Sequence, residues 1–80
     1  MKVLKFSAEW CNPCKQMNEW LKTQDYDHDI VKVPIETNQD MVNQYGIRSV
    51  PTMVMLNEND TVKKTIVGFN KPKLESFLQI

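Results

Sequence analysis

No apolar run in this chain of 80 residues approaches the roughly 20 residues that a membrane-crossing helix needs. Charge of one sign is lacking too. Ten Lys and Arg offset ten Asp and Glu, so no basic field is available to nucleic acid or anionic lipid. Metal-ligating residues are scarce: the chain has two cysteines and one histidine. A closed zinc site usually takes four N or S ligands and would need a second molecule here. A secretory leader is not legible either. Met1-Lys2-Val3-Leu4-Lys5-Phe6 has one early lysine, but Lys5 breaks the apolar stretch and no cleavage site follows. A cytoplasmic protein is therefore expected, in a compartment where a permanent structural disulfide would be unusual. What is present is globular in composition, with 41% apolar and 25% charged residues. The length suits one domain, residues 1–80, with a modest core. No linker, internal repeat or low-complexity tract interrupts it.

Periodicity divides the chain into seven elements. Lys2 to Ser7 is apolar and β-favouring, hence a strand. From Cys14 to Thr23, Met17, Trp20 and Leu21 recur at helical spacing. Gln24 to Asp29 is a polar turn, in which His28 reads as a solvated residue. Ile30 to Ile35 is a second strand with Pro34 near its end. Asn38 to Tyr45 is a short helix with Met41, Val42 and Tyr45 on one face, stopped by Gly46. Thr52 to Leu56 and Thr61 to Val67 are strands joined by the turn-forming Asn57-Glu58-Asn59-Asp60. Asn70 can cap a last helix with Pro72 in its first turn and Leu74, Phe77 and Leu78 facing inward. The five methionines read mostly as core filler, with Met53 and Met55 on one sheet face. The order βαβαββα predicts an α/β fold: a right-handed βαβ crossover followed by an antiparallel hairpin, with helices on both faces of a four-stranded mixed sheet.

The informative motif is Trp10-Cys11-Asn12-Pro13-Cys14-Lys15, between the first strand and the first helix. A disulfide across three positions closes too small a loop to be a useful staple. As a reversible dithiol the spacing makes sense. Cys11 would face the helix N-terminus, where unpaired N–H groups and the dipole favour thiolate over thiol. Cys14 follows one turn later and can reach back to it. Cys11 is thus the candidate nucleophile, attacking a substrate disulfide, and Cys14 the resolving thiol. Pro13 fits early in a helix, where its missing N–H needs no partner. Trp10 is too large to hide beside such a turn and reads as a contact surface.

Ala8-Glu9-Trp10-Cys11-Asn12-Pro13-Cys14-Lys15 resembles the thioredoxin active site, usually Trp-Cys-Gly-Pro-Cys-Lys. Tyr45-Gly46-Ile47-Arg48-Ser49-Val50-Pro51-Thr52 resembles that family's cis-proline loop, and Val67-Gly68-Phe69 its Val-Gly turn. The likeness runs over most of Lys2 to Ile80 and lacks the first strand and helix of a full-length thioredoxin, as in a minimal, phage-type thioredoxin or a glutaredoxin-sized redoxin. It implies a thioredoxin-like fold, a cis Val50-Pro51 peptide facing the cysteines, and a groove lined by Trp10, Asn12, Pro13, Val50, Pro51 and Gly68. There an extended substrate segment would pair as an added strand.

Three positions depart from the family pattern. Asn12 replaces the usual glycine between the cysteines, which leaves the reduction potential open. Glu19 stands in place of a helix-kinking proline, so a straighter helix is expected. Lys5 occupies the place of a buried aspartate behind the second cysteine. Its functional reading is a stabiliser of the Cys14 thiolate; its plainer one is a side chain that snorkels to solvent. Lys32 matches the lysine that neighbours that aspartate, so one of the two should point outward. Glu9 and Arg48 read as surface charges.

The resulting expectation is a thiol–disulfide oxidoreductase reducing protein disulfides as a monomer, with no bound cofactor and no metal. The resemblance implies recharging by a thioredoxin-reductase-like flavoprotein using NADPH. A ribonucleotide reductase is one client suggested by analogy. The alternatives are a glutaredoxin-type redoxin recharged by glutathione, and a non-catalytic interaction subunit.

Overall fold

The computed structural model describes residues 2–80. Met1, counted above in the N-terminal segment and among the methionines, lies outside the described residues. The chain runs β1 (Lys2–Ser7), α1 (Asn12–Lys22), β2 (Asp29–Pro34), a single 3-10 turn (Ile35–Thr37), α2 (Gln39–Gln44), β3 (Thr52–Leu56), β4 (Val62–Val67) and α3 (Lys71–Leu78). The sheet has the order β2-β1-β3-β4. β1 lies parallel to β2, with Lys5 beside Lys32, and antiparallel to β3, with Lys5 beside Met53. β3 and β4 form the antiparallel hairpin. The mixed α/β sheet expected from the element order is therefore the one that forms.

Alternation along β1 and β3 separates two cores. Val3, Met53 and Met55 point to one face, where Met17 and Leu21 of α1 and Leu74, Phe77 and Leu78 of α3 cover them. Leu4, Phe6, Val54 and Leu56 point to the other with Val33, and Met41, Val42 and Tyr45 of α2 pack there. All five residues of β3 are buried, because this strand has a neighbour on each side and helices on both faces. Full burial of one such side chain stabilises by about 1.5–3 kcal/mol.

Local chemistry sets the ends. Pro34 has no N–H to give to the ladder, so β2 stops there and Ile35, expected in the strand, opens the 3-10 turn instead. Side-chain amides take up the freed carbonyls: Asn38 Nδ2 donates to Pro34 O at 2.7 Å and Gln39 Nε2 to Ile35 O at 2.8 Å. Gly46, at φ +63°, ends α2. Its N–H reaches Asn43 O at 3.3 Å, and Ile47 N–H reaches Val42 O at 2.9 Å. Paired bonds of this kind close a helix when a left-handed residue follows it, and Ile47 packs with Val42 in the same core. Asn70 caps α3 through Oδ1, which accepts from Lys73 N–H at 3.1 Å.

His28 is not a solvated turn residue. Its ring is half-buried, with Nε2 3.0 Å from the carbonyl oxygen of Leu78 and Nδ1 buried without a partner. The α1–β2 connection is thereby tied to the end of α3. Among the described residues no helix is long and apolar enough to cross a membrane.

Candidate active site

The turn after β1 delivers both cysteines. Cys11 is the N-cap of α1, with extended backbone, and its Sγ accepts the N–H of Cys14 at 3.2 Å. A Ser or Asp oxygen usually fills this role. A sulfur held there lies at the positive end of the helix dipole, which favours its thiolate. Cys11 N–H to Ala8 O at 3.3 Å and Lys15 N–H to Cys11 O at 3.2 Å fix the turn. A disulfide joins Cys11 to Cys14, with Cα atoms 5.2 Å apart. Both cysteines are buried, at 4% and 2% exposure.

The loop before β3 closes over this pair. Val50 and Ile35 pack against a small cluster made by Ala8, Cys11 and Cys14. The Val50-Pro51 peptide is cis, and Pro51 is buried. Two hydrogen bonds hold the loop: Thr52 Oγ1 donates to Ser49 O at 2.7 Å, and Gly68 N–H donates to Pro51 O at 2.8 Å. The disulfide, the proline loop and the turn after β4, far apart in sequence, thus form one connected unit. Trp10 stands 70% exposed beside it. Asn12 and Pro13 are exposed as well. Val67, read from the sequence as the end of the last strand and part of the Val-Gly turn, is 62% exposed and adds an apolar side chain next to Gly68. Arg48 and Glu9 are at the surface, and Glu9 N–H is held by the Glu36 carboxylate at 3.1 Å.

On β1 the structure places Lys5 against α1. Its side chain is half-buried, and Nζ donates to Asn18 Oδ1 on α1. Lys32, its neighbour across the β1–β2 ladder, is the exposed member of the pair. Burial pushes the Lys5 amine below its ordinary 10.5, and the positive charges of Lys32 and Lys22 push it the same way. Asn18 was not singled out from the sequence. Its one available signal is its position, one turn after Cys14 on the same helix face. Two clefts share Lys15, Asn18 and Lys32 in their linings. One, of about 710 Å³, is lined by Cys14, Lys15, Lys32 and Glu36 among others. The second, of about 570 Å³, is lined by Lys5, Lys15, Lys22 and Lys32. Among the described residues no group of three or more His, Cys, Asp or Glu is placed to hold a metal ion.

The thioredoxin family model matches residues 1–80. The chain belongs to the thioredoxin family. It is similar to the thioredoxin of Bacillus subtilis (strain 168), with 39% identity over a 72-residue alignment that covers 85% of this chain and 67% of that one. Its fold is similar to that of the reduced Schistosoma mansoni thioredoxin pre-protein, with a TM-score of 0.87 and 29% identity over 98% of this chain and 75% of that one. Spinach chloroplast thioredoxin f, in its short form, is similar at a TM-score of 0.84 and 32% identity, over 98% and 72% of the two chains. A thioredoxin-family chain that carries a Cys-x-x-Cys pair able to close as a disulfide is a protein-disulfide oxidoreductase.

Proposed function

We propose that this thioredoxin-family protein reduces protein disulfides in the cytoplasm as a monomer, with Cys11 as the attacking thiol and Cys14 as the resolving one. The observation that carries the assignment is the hydrogen bond from Cys14 N–H to Cys11 Sγ at the start of α1. It gives Cys11 the donor and the dipole that stabilise a thiolate. Cys11 thiolate attacks one sulfur of a substrate disulfide; a mixed disulfide forms and the other substrate sulfur leaves as a thiolate. Cys14 thiolate then attacks Cys11 Sγ. The bond to substrate breaks, the second substrate thiolate departs, and Cys11–Cys14 is left oxidised. Two electrons have passed from the protein to the substrate, and each departing thiolate takes a proton from water.

Trp10, Asn12, Pro13, Val50, Pro51 and Gly68 form the proposed docking rim for an extended segment of the substrate. Support comes from the exposure of Trp10 and the contact of Val50 with the cysteines. A thioredoxin-reductase-like flavoprotein using NADPH would return the electrons, and a ribonucleotide reductase is one client to assay.

Coupled NADPH oxidation with insulin as substrate tests the proposal. One arm contains thioredoxin reductase, the other glutathione with glutathione reductase, and Cys11→Ser serves as control. Turnover in the first arm that disappears in the control is the expected result. Turnover in the second arm alone would reassign the protein to glutathione-recharged redoxins. Retained turnover in Cys11→Ser would remove Cys11 from the mechanism.

A further inference from the structure

Lys5 occupies a position where alternation calls for an inward-facing residue. Its neighbours two positions away on β1, Val3 and Ser7, are 0% and 5% exposed. A lysine there must be held by something, and the partner is neutral. Its ammonium donates to Asn18 Oδ1, and the carboxylate that lines its cleft, Glu19, is bonded to Lys22 at 3.2 Å. Burial and the charges of Lys32 and Lys22 already disfavour the cation at this site. A half-buried cation without a counter-carboxylate is an unfavourable arrangement unless another negative group develops within its reach.

Cys14 is placed to supply that group. Asn18 follows it by four residues on α1, so the two side chains lie one above the other on one helix face. Asn18, like Lys15 and Lys32, lines both the cleft that Cys14 lines and the cleft that Lys5 lines, and it is the side chain hydrogen-bonded to the ammonium. The remaining charged and titratable groups around the two clefts are Lys15, Glu19 and Lys22 on α1, Tyr26 in the following loop, Lys32 on β2, and Glu9 and Glu36 at the Cys14 end. His28 is not among them.

We infer that Lys5, held by Asn18, is the cationic support of the Cys14 thiolate and so a positioning residue for the resolving step. This rests on the role proposed for Cys14 above. While the disulfide is closed, the lysine has no negative partner among the described residues. Once the bond to Cys11 is open and Cys14 has lost its proton to water, Asn18 ties the ammonium to the helix face that carries the thiolate. The charge raises the fraction of Cys14 present as the attacking thiolate. It also stabilises the reduced protein and makes the pair more oxidising.

The test uses the Cys11→Ser protein, in which Cys14 is the one remaining thiol, and follows thiolate absorbance at 240 nm against pH. Lys5→Met is expected to move the Cys14 titration to higher pH, with roughly a three- to tenfold loss of thiolate at neutral pH. Lys5→Arg keeps the charge and is expected to restore most of it. Asn18→Leu frees Lys5 from its anchor and is expected to shift the titration in the direction of Lys5→Met. With both cysteines present, Lys5→Met should shift the equilibrium with a glutathione redox buffer toward the oxidised protein by a similar factor. A Cys14 titration unchanged in Lys5→Met, in protein that remains folded by circular dichroism, would overturn the inference. That readout requires no substrate, so failure of the insulin assay would count against the proposed function and leave the Cys14 titration to decide this point alone.

Discussion

Gly68 gives its backbone N–H to the carbonyl oxygen of Pro51 at 2.8 Å, and in doing so fastens the turn after β4 to the loop that packs on the disulfide. Gly68 holds φ at +86°, and a Cβ built there would meet nothing within 4 Å. An alanine would therefore fit, and its cost would come from backbone conformation alone, about 1–2 kcal/mol. Gly46 has the same character, with φ +63° and open space around it, but it ends α2. Both Gly68→Ala and Gly46→Ala should lower stability by similar amounts in urea unfolding. Only Gly68→Ala should also raise KM for insulin, since only Gly68 belongs to the proposed rim. Equal effects on KM would show that the loss follows from stability and that the Gly68 turn plays no part in docking.

Asn70 carries the start of α3, whose Leu74, Phe77 and Leu78 are all buried. Its Oδ1 satisfies Lys73 N–H, one of the four N–H groups that a helix start leaves open. Replacing it with alanine should cost about 1 kcal/mol, and glycine a few tenths. The denaturant slope should not change, since the surface exposed on unfolding is the same. A smaller loss for alanine than for glycine would contradict the capping assignment.

The parts of the molecule legible in the sequence are those written in local chemistry. Asn70 and Pro72 marked the start of α3, Gly46 the end of α2, and Asn57 to Asp60 the hairpin. Cys11 and Cys14 declared themselves because three-residue spacing at a strand-to-helix turn is itself the chemistry. The proline loop was legible through resemblance, since neither composition nor period brings Val50 to Cys11. What stayed hidden depends on tertiary approach. Alternation along β1 could say which face Lys5 takes but not that Asn18, thirteen residues on, would receive its ammonium. His28 sits among polar residues, and its partner Leu78 lies fifty residues away. A window of a dozen residues could not show that this turn folds onto the last helix.

The His28 contact is expected to matter for stability rather than for redox chemistry. Nε2 and Leu78 O are 3.0 Å apart, and since a carbonyl oxygen accepts, Nε2–H is the donor to a helix-end carbonyl. His28→Ala removes that donor and part of the packing, and should cost about 1–2 kcal/mol. Native-state hydrogen exchange should show the loss first at the C-terminal end of α3, with little change in β3. Uniform loss of protection across the sheet would mean that the contact supports the whole fold and not one end of it.

Lys5 gives the stability of the oxidised protein a pH dependence with a defined sign. Its amine in the folded chain is held below the ordinary value of 10.5. Between the folded and the unfolded values, the unfolded chain binds more protons, so stability must rise with pH across that window. Below the window the lysine is charged in both states and its burial opposes folding in full. Above 10.5 it is neutral in both and the penalty is gone. Lys5→Met removes the charge at every pH. The oxidised variant should therefore be more resistant to urea than the parent at neutral pH, and the advantage should shrink as pH approaches 10.5. The same substitution is expected to raise the Cys14 titration, so stability and thiolate chemistry should move in opposite senses. A Lys5→Met protein less stable than its parent at pH 7 would show that the hydrogen bond to Asn18 outweighs the burial of the charge. A difference constant with pH would show that the lysine titrates alike in the folded and unfolded chains.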